Sequence, residues 1–169
     1  MNKRVFAILA IVVFFAGCSK SKDEGCGLSE AQVTASASEI ATIQTYLSSN
    51  GLTATQHSSG IFYNVVSAGT GTTTPAVCSS ITVKYTGRFL NGSVFDNNNG
   101  NVVPAQFLLG QLIAGWHKGI PLIKKGGSIK LYIPPSLGYG PQDVRNGAGV
   151  VVIPGNSTLI FDVDLLDVQ

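Results

Sequence analysis

The sequence predicts an α+β fold: a half-open antiparallel sheet wrapped over one short apolar helix, with a helical extension in front of it. Three observations carry this. Ile81, Val83 and Tyr85 alternate with Thr82, Lys84 and Thr86, and Ile129, Leu131 and Ile133 alternate with Lys130 and Tyr132. Leu159, Phe161, Val163 and Leu165 likewise face away from Ile160, Asp162, Asp164 and Leu166, the period-two pattern of antiparallel strands with one side solvated. Second, the mostly apolar stretch Phe107 to Ile123 holds the single tryptophan, and Ile113, Trp116, Ile120 and Ile123 recur at spacings of three, four and three, which stacks them on one helical face. Gly115 and Gly119 thin that helix for close approach, and Pro121 limits it to roughly Leu112 to Ile120. So short a helix cannot hold its conformation alone and needs the sheet to lie on. Third, Leu28 to Leu47 reads as a separate amphipathic helix.

In chain order, the first segment is an address. Lys3 and Arg4 precede an uninterrupted apolar run from Val5 to Phe15, and Ala16-Gly17-Cys18 ends it with two small residues before a cysteine. The run is too short to span a bilayer as a stable helix and reads as the apolar part of a signal peptide, residues 1–17. Small residues directly before a cysteine resemble a bacterial lipobox, with Phe15 where leucine is usual. The resemblance implies cleavage before Cys18, a lipid on Cys18 that ties the protein to a membrane of the cell envelope, and, from Ser19, forwarding to the outer membrane. Residues 18–27 are then a lipidated N-terminus and polar tether.

Of eleven Lys and Arg, Lys3 and Arg4 leave with the signal, so the mature chain balances nine bases against nine acids. Neutrality without a basic cluster argues against nucleic acid as a partner. The remaining chain, about 150 residues, holds one core with an appendage, divided here into an extension (28–77) and a main domain (78–169). Cys26 and Cys78 remain in a compartment that permits disulfides. They either form a bond that pins the N-terminal segment near a predicted strand or stay as two free thiols.

In the extension, Ala35, Ile40, Ile43 and Leu47 lie along one side of the helix, Thr34 or Ser36 is placed to cap it, and Glu39 completes a capping box with Ser36. Asn50-Gly51 supplies a left-handed stop. Ile61 to Val66 is a strand and His57 a loop histidine. In the main domain Asn91-Gly92 marks a hairpin turn.

The chemistry available is narrow. The sequence contains no nucleophile elbow, zinc-protease histidine pair, phosphate-cradling glycine loop or CxxC. Its two histidines, His57 and His117, lack acidic escorts, so no metal or cofactor is expected. Aromatic residues instead gather near glycines and prolines: Tyr85, Phe89, Phe95, Phe107, Trp116, Tyr132, Tyr139 and Phe161. Such a set lines an apolar pocket.

The fragments Val83-Lys-Tyr85-Thr-Gly87, Gly92-Ser-Val-Phe95-Asp96, Phe107-Leu-Leu-Gly110, Ile113-Ala-Gly115-Trp116, Ile133-Pro134-Pro-Ser-Leu-Gly-Tyr139-Gly140, Ile153-Pro154 and Leu159-Ile-Phe161-Asp-Val163 occur in the order and spacing of the FKBP-type peptidyl-prolyl isomerases. The chain resembles that family from about Cys78 to Val168. The resemblance implies an FKBP-like half-barrel, prolyl isomerase activity on folding polypeptides that contain proline, and binding of rapamycin-type macrolides. It also implies roles: Trp116 as pocket floor; Tyr85, Phe95 and Phe161 as walls; Phe107, Leu112 and Ile113 at the rim; Asp96 as the pocket carboxylate. Tyr139 becomes the phenol that bonds the substrate carbonyl, and Val152 and Ile153 the apolar tip of the last long loop. The chain departs from the family pattern at Ala105, where a further phenylalanine is common, and at Gly155, which replaces a second proline and is expected to loosen the turn. The loop 141–151 is also longer than in the smallest members and lacks their histidine.

Such an activity needs no nucleophile. Amide resonance sets a barrier of about 18–20 kcal/mol to rotation, and a pocket complementary to the twisted amide lowers it without covalent chemistry. Asp96 either orders the wall by bonding Tyr85 or nearby amides, or stabilises the displaced carbonyl electrostatically. The alternative function is a binding or chaperone module that uses the same pocket without turnover. The sequence specifies no oligomeric state.

Overall fold

The computed structural model describes residues 26–100 and 103–169. The apolar run 5–15 and Cys18 lie outside them. No helix among the described residues is long and apolar enough to cross a membrane.

From Cys26 to Ala35 the chain is an extended strap. Leu28 packs at Gly110, the Ala31 N–H donates to His117 Nδ1 at 3.3 Å, and Glu30 pairs with Lys118 at 2.7 Å. A disulfide joins Cys26 to Cys78, with 5.7 Å between their Cα atoms, so the bonded of the two sequence alternatives is the one found. Helix α1 (Ala37–Ser49) follows, and it does not begin at Leu28 as expected. Ser36 is its N-cap, bonded to the Glu39 amide, while the Glu39 carboxylate reaches back to Ser36. An N-cap residue is itself non-helical, so this capping box excludes residues 28–36 from the helix whatever their apolar spacing. Gly51 (φ +63°) ends it.

The strands are β1 (Thr55–Gln56), β2 (Phe62–Ser67), β3 (Ser80–Phe89), β4 (Val94–Asn97), β5 (Ala105–Leu108), β6 (Gly127–Ile133), β7 (Val144–Arg145), β8 (Val151–Ile153) and β9 (Leu159–Val168). The main sheet runs β1-β2-β6-β9-β3-β4, with β5 also on β3, and every pairing is antiparallel. Strand β2, read as part of the extension, is thus a member of the central sheet beside β6.

The concave face carries the predicted row: Ile81, Val83, Ile129, Leu131, Ile133, Leu159, Phe161, Val163 and Leu165 are all buried. The convex face differs from expectation. At one end α1 lays Ile43 and Leu47 over Phe62, Tyr132 and Ile160, making a second small core. Only the other end is the solvated face expected, where Arg88 and Lys130 pair with Asp162 and the Ser128 hydroxyl donates to Asp164.

Helix α2 (Ala114–Gly119) crosses the concave face and is shorter than Leu112 to Ile120. Leu112 and Ile113 are extended (ψ 177° and 149°). Beyond Gly119 the chain tightens into a 3-10 turn, Ile120–Leu122. Pro121 lies inside that turn, near its start, where a missing amide hydrogen costs little. The two glycines are needed as predicted. A Cβ on Gly115 would stand 2.5 Å from Ile133 Cγ2, and one on Gly119 2.5 Å from Leu131 Cδ2.

Candidate active site

At the open end of the concave face lies a cavity of about 250 Å³. Trp116, held by α2 and almost fully buried, contributes from below. Tyr85 from β3 and Phe161 from β9 stand edge-on to the indole, with centroids 5.7 and 5.4 Å away and interplanar angles of 86° and 87°. This T-shaped geometry sets positive ring edges against negative faces. Phe107 comes from β5, and Gln111, Leu112 and Ile113 form the lip where the chain passes into α2.

Phe95 does not line the cavity. It packs behind Phe161, edge-on at 5.6 Å, and against Phe89 at 4.9 Å. Gly87 makes that stack possible, since a Cβ there would lie 2.6 Å from Phe95 and 3.0 Å from Phe161. Val152 and Ile153 are not among the lining residues either. Neighbours on a strand face opposite sides; in β8, Val152 is exposed and Ile153 turns into the core.

Beside Gln111, two phenols and one carboxylate supply the polarity. The Tyr85 hydroxyl donates to Asp96 Oδ2 at 2.7 Å. Burial first, then the bond to Asp96 and its charge, push the Tyr85 phenol far above its ordinary pKa. Burial and then the charge of Asp96 also raise Tyr139. Both phenols therefore stay protonated, and remain donors, throughout the neutral range. Tyr139 reaches the cavity from the loop after the 3-10 turn Pro135–Leu137, with its side chain still partly open to solvent. Among the described residues no cluster of His, Cys, Asp or Glu side chains is arranged to hold a metal ion.

Two contributors escaped the sequence reading. Gln111 lies in the short gap between the matched fragments Phe107–Gly110 and Ile113–Trp116, and that position was its signal. Asn98 had none, because Asn97-Asn98-Asn99 reads as a polar turn. It is buried, and it fills the gap on the β3 edge between β4 and β5. Its Oδ1 accepts the Tyr85 N–H at 2.7 Å, its N–H donates to the Tyr85 carbonyl at 3.1 Å, and its Nδ2 donates to the Val83 carbonyl at 3.0 Å. The side chain thus replaces a strand and fixes the backbone of Tyr85.

The departure at Gly155 does not loosen the turn. Its amide donates to Asp143 Oδ1 at 3.0 Å, and a Cβ there would come within 2.1 Å of the Pro141 carbonyl oxygen. The glycine lets loop 141–155 close on itself.

A half-barrel closed over a short helix, with an indole beneath an aromatic cavity, defines an immunophilin-type domain. Residues 71–166 match the family model described as FKBP-type peptidyl-prolyl cis-trans isomerase, and the chain belongs to that family. A probable FKBP-type isomerase of Haemophilus influenzae is 49% identical over 111 residues, covering 66% of this chain and 44% of that protein. The crystal structure of FkpA from Escherichia coli aligns with a TM-score of 0.66 at 41% identity, over 79% of this chain and 60% of that one. The crystal structure of AtFKBP13 aligns with a TM-score of 0.62 at 30% identity, over 69% of this chain and 99% of that one. The chain spans less than half the length of the curated relatives it matches.

Proposed function

We propose that this chain is a peptidyl-prolyl cis-trans isomerase that assists the folding of envelope or secreted proteins, and that Trp116, Tyr85, Phe161, Asp96 and Tyr139 carry the reaction. The observation that supports it most is the cavity itself: an apolar, indole-based recess with protonated phenols and a carboxylate at its margin. A proline ring enters the aromatic recess and loses its water. The planar amide is the charge-separated form, so desolvation disfavours it relative to the twisted one. The Tyr139 phenol donates to the substrate carbonyl as the bond turns. Asp96 keeps Tyr85 in the wall and sets a negative charge beside the rotating group. Only interactions stronger in the twisted state accelerate the step, and each 1.36 kcal/mol so gained is tenfold in rate.

The same recess is proposed to accept rapamycin-type macrolides in competition with the peptide. We further propose that residues 1–17 are a signal peptide and that Cys18 carries a lipid anchoring the chain to the cell envelope. The Cys26–Cys78 disulfide supports an oxidising, extracytoplasmic compartment.

The test is a protease-free isomerisation assay on a short Xaa-Pro peptide, with and without rapamycin, for the wild type and Tyr139→Phe. Turnover is expected, inhibited by the macrolide. Tyr139→Phe should keep the fold and lose one hydrogen bond, about 0.5–1.5 kcal/mol of transition-state stabilisation. Peptide binding without turnover would make the chain a binding module instead. Intact mass of envelope-purified protein checks the anchor, since Cys18→Ser should remove the lipid mass. A mass difference equal to the substitution alone would exclude acylation.

A further inference from the structure

The loop that carries Tyr139 is fastened by a residue outside the family-matched segment. Glu39, in the first turn of α1, accepts the Ser36 N–H and the Ser36 hydroxyl at Oε2, both at 2.8 Å. The same carboxylate also reaches across to the Pro135–Leu137 turn. Its Oε1 accepts the Ser136 N–H at 2.8 Å, and the Ser136 hydroxyl donates to Oε2 at 3.1 Å. One side chain thereby satisfies free amides at the start of two helical turns, groups that otherwise have no intrahelical partner.

The connection from Ser136 to Tyr139 is short and stiff. Leu137 is fully buried, the Gly138 and Gly140 amides both donate to the Pro135 carbonyl at 2.9 Å, and the Gly140 carbonyl accepts the Asn156 N–H at 2.9 Å. Among the described residues, Glu39 is the only side chain hydrogen-bonded to the turn 135–137. Displacing that turn displaces the phenol.

We propose that Glu39 is a positioning residue for isomerisation: through Ser136 it sets where the Tyr139 hydroxyl stands over the cavity, which makes α1 part of the working enzyme. The proposal rests on the isomerase reading above. It is tested by a double-mutant cycle in kcat and KM with Glu39→Ala, Tyr139→Phe and the double variant. Leu47→Ala serves as a control that weakens the packing of α1 without touching Glu39.

Glu39→Ala should lower kcat about 5-fold with little change in KM, Glu39→Gln should recover part of this, and the double variant should be no slower than Tyr139→Phe alone. Leu47→Ala should keep the wild-type kcat at temperatures where it is folded. Wild-type turnover in Glu39→Ala overturns the proposal. So does a loss that multiplies undiminished onto Tyr139→Phe, or an equal loss in Leu47→Ala. Where Glu39→Ala does not fold, the same cycle run with Glu39→Gln decides. An inactive wild type instead overturns the isomerase reading, and the proposal falls with it.

Discussion

The two α-helices among the described residues are specified in opposite ways. Helix α1 carries its own instructions: a capping box at Ser36 and Glu39, thirteen residues of helix, and Gly51 at φ +63° to stop it. Helix α2 has six residues, no side-chain cap and a glycine near each end, and a peptide of that length does not hold a helix in water. What holds it is the sheet, whose Ile133 and Leu131 side chains fill the space left by the missing Cβ atoms of Gly115 and Gly119. The element that bears the pocket floor is therefore defined by tertiary contact. The element with strong local signals lies on the far face.

The contrast predicts different responses to substitution. The largest effect is expected on the tertiary side. Trp116 is almost fully buried between Tyr85 and Phe161, and Trp116→Ala should cost about 3–5 kcal/mol of stability, measured by urea unfolding. A variant within 1 kcal/mol of wild type, on the scale of about 3 kcal/mol or more usual for buried aromatics, would show that α2 does not depend on this packing.

Gly119→Ala sharpens the comparison because two effects predict opposite signs. Helix propensity favours alanine by about 1 kcal/mol. Overpacking opposes it by about 1–3 kcal/mol, since Leu131 is fully buried and has no room to swing away. A net loss is expected, and a raised melting temperature would mean that local propensity governs α2 after all.

The smallest effect belongs to α1. Ser36→Ala should cost about 1 kcal/mol, the usual worth of an N-cap. Its partner Glu39 links this cap to pH. Burial raises the Glu39 carboxyl, but hydrogen bonds from Ser36 and Ser136 outweigh it and hold its pKa below the ordinary value. A carboxyl depressed in the folded state contributes stability above its unfolded pKa and loses it as pH falls through the folded value. The acid limb of the stability curve should therefore be shallower in Glu39→Gln than in wild type, and an identical limb would remove Glu39 from the acid response.

The same division between local and long-range specification accounts for what the sequence reveals. The sheet was legible because alternation is local: Ile129-Leu131-Ile133 and Leu159-Phe161-Val163 betray their inward face by spacing alone. The capping box at Ser36 was legible for the same reason, although the apolar positions upstream of it, such as Leu28, extended the helix too far. Leu28 is only half-buried, where the strap packs at Gly110, and Val33 is exposed, so their placement follows the strap and not helical periodicity. The pocket aromatics were legible as a set, yet their division was not. Phe95 and Phe161 look alike in sequence, and only the register of β4 on β3 puts one behind the other. Asn98 and Glu39 were illegible as contributors to the site. Glu39 meets Ser136 across 97 positions of chain, and no local pattern marks such a pairing.

Because the sequence holds one tryptophan and the fold places it beneath the cavity, the protein contains a built-in optical probe. All indole emission comes from Trp116, whose neighbours Tyr85 and Phe161 also line the recess. Filling the recess covers what little of the indole is still exposed with apolar atoms. The emission should shift to shorter wavelength in proportion to occupancy, so an unlabelled chain would report the filling of its recess, by the proposed proline peptide among others, through its own fluorescence.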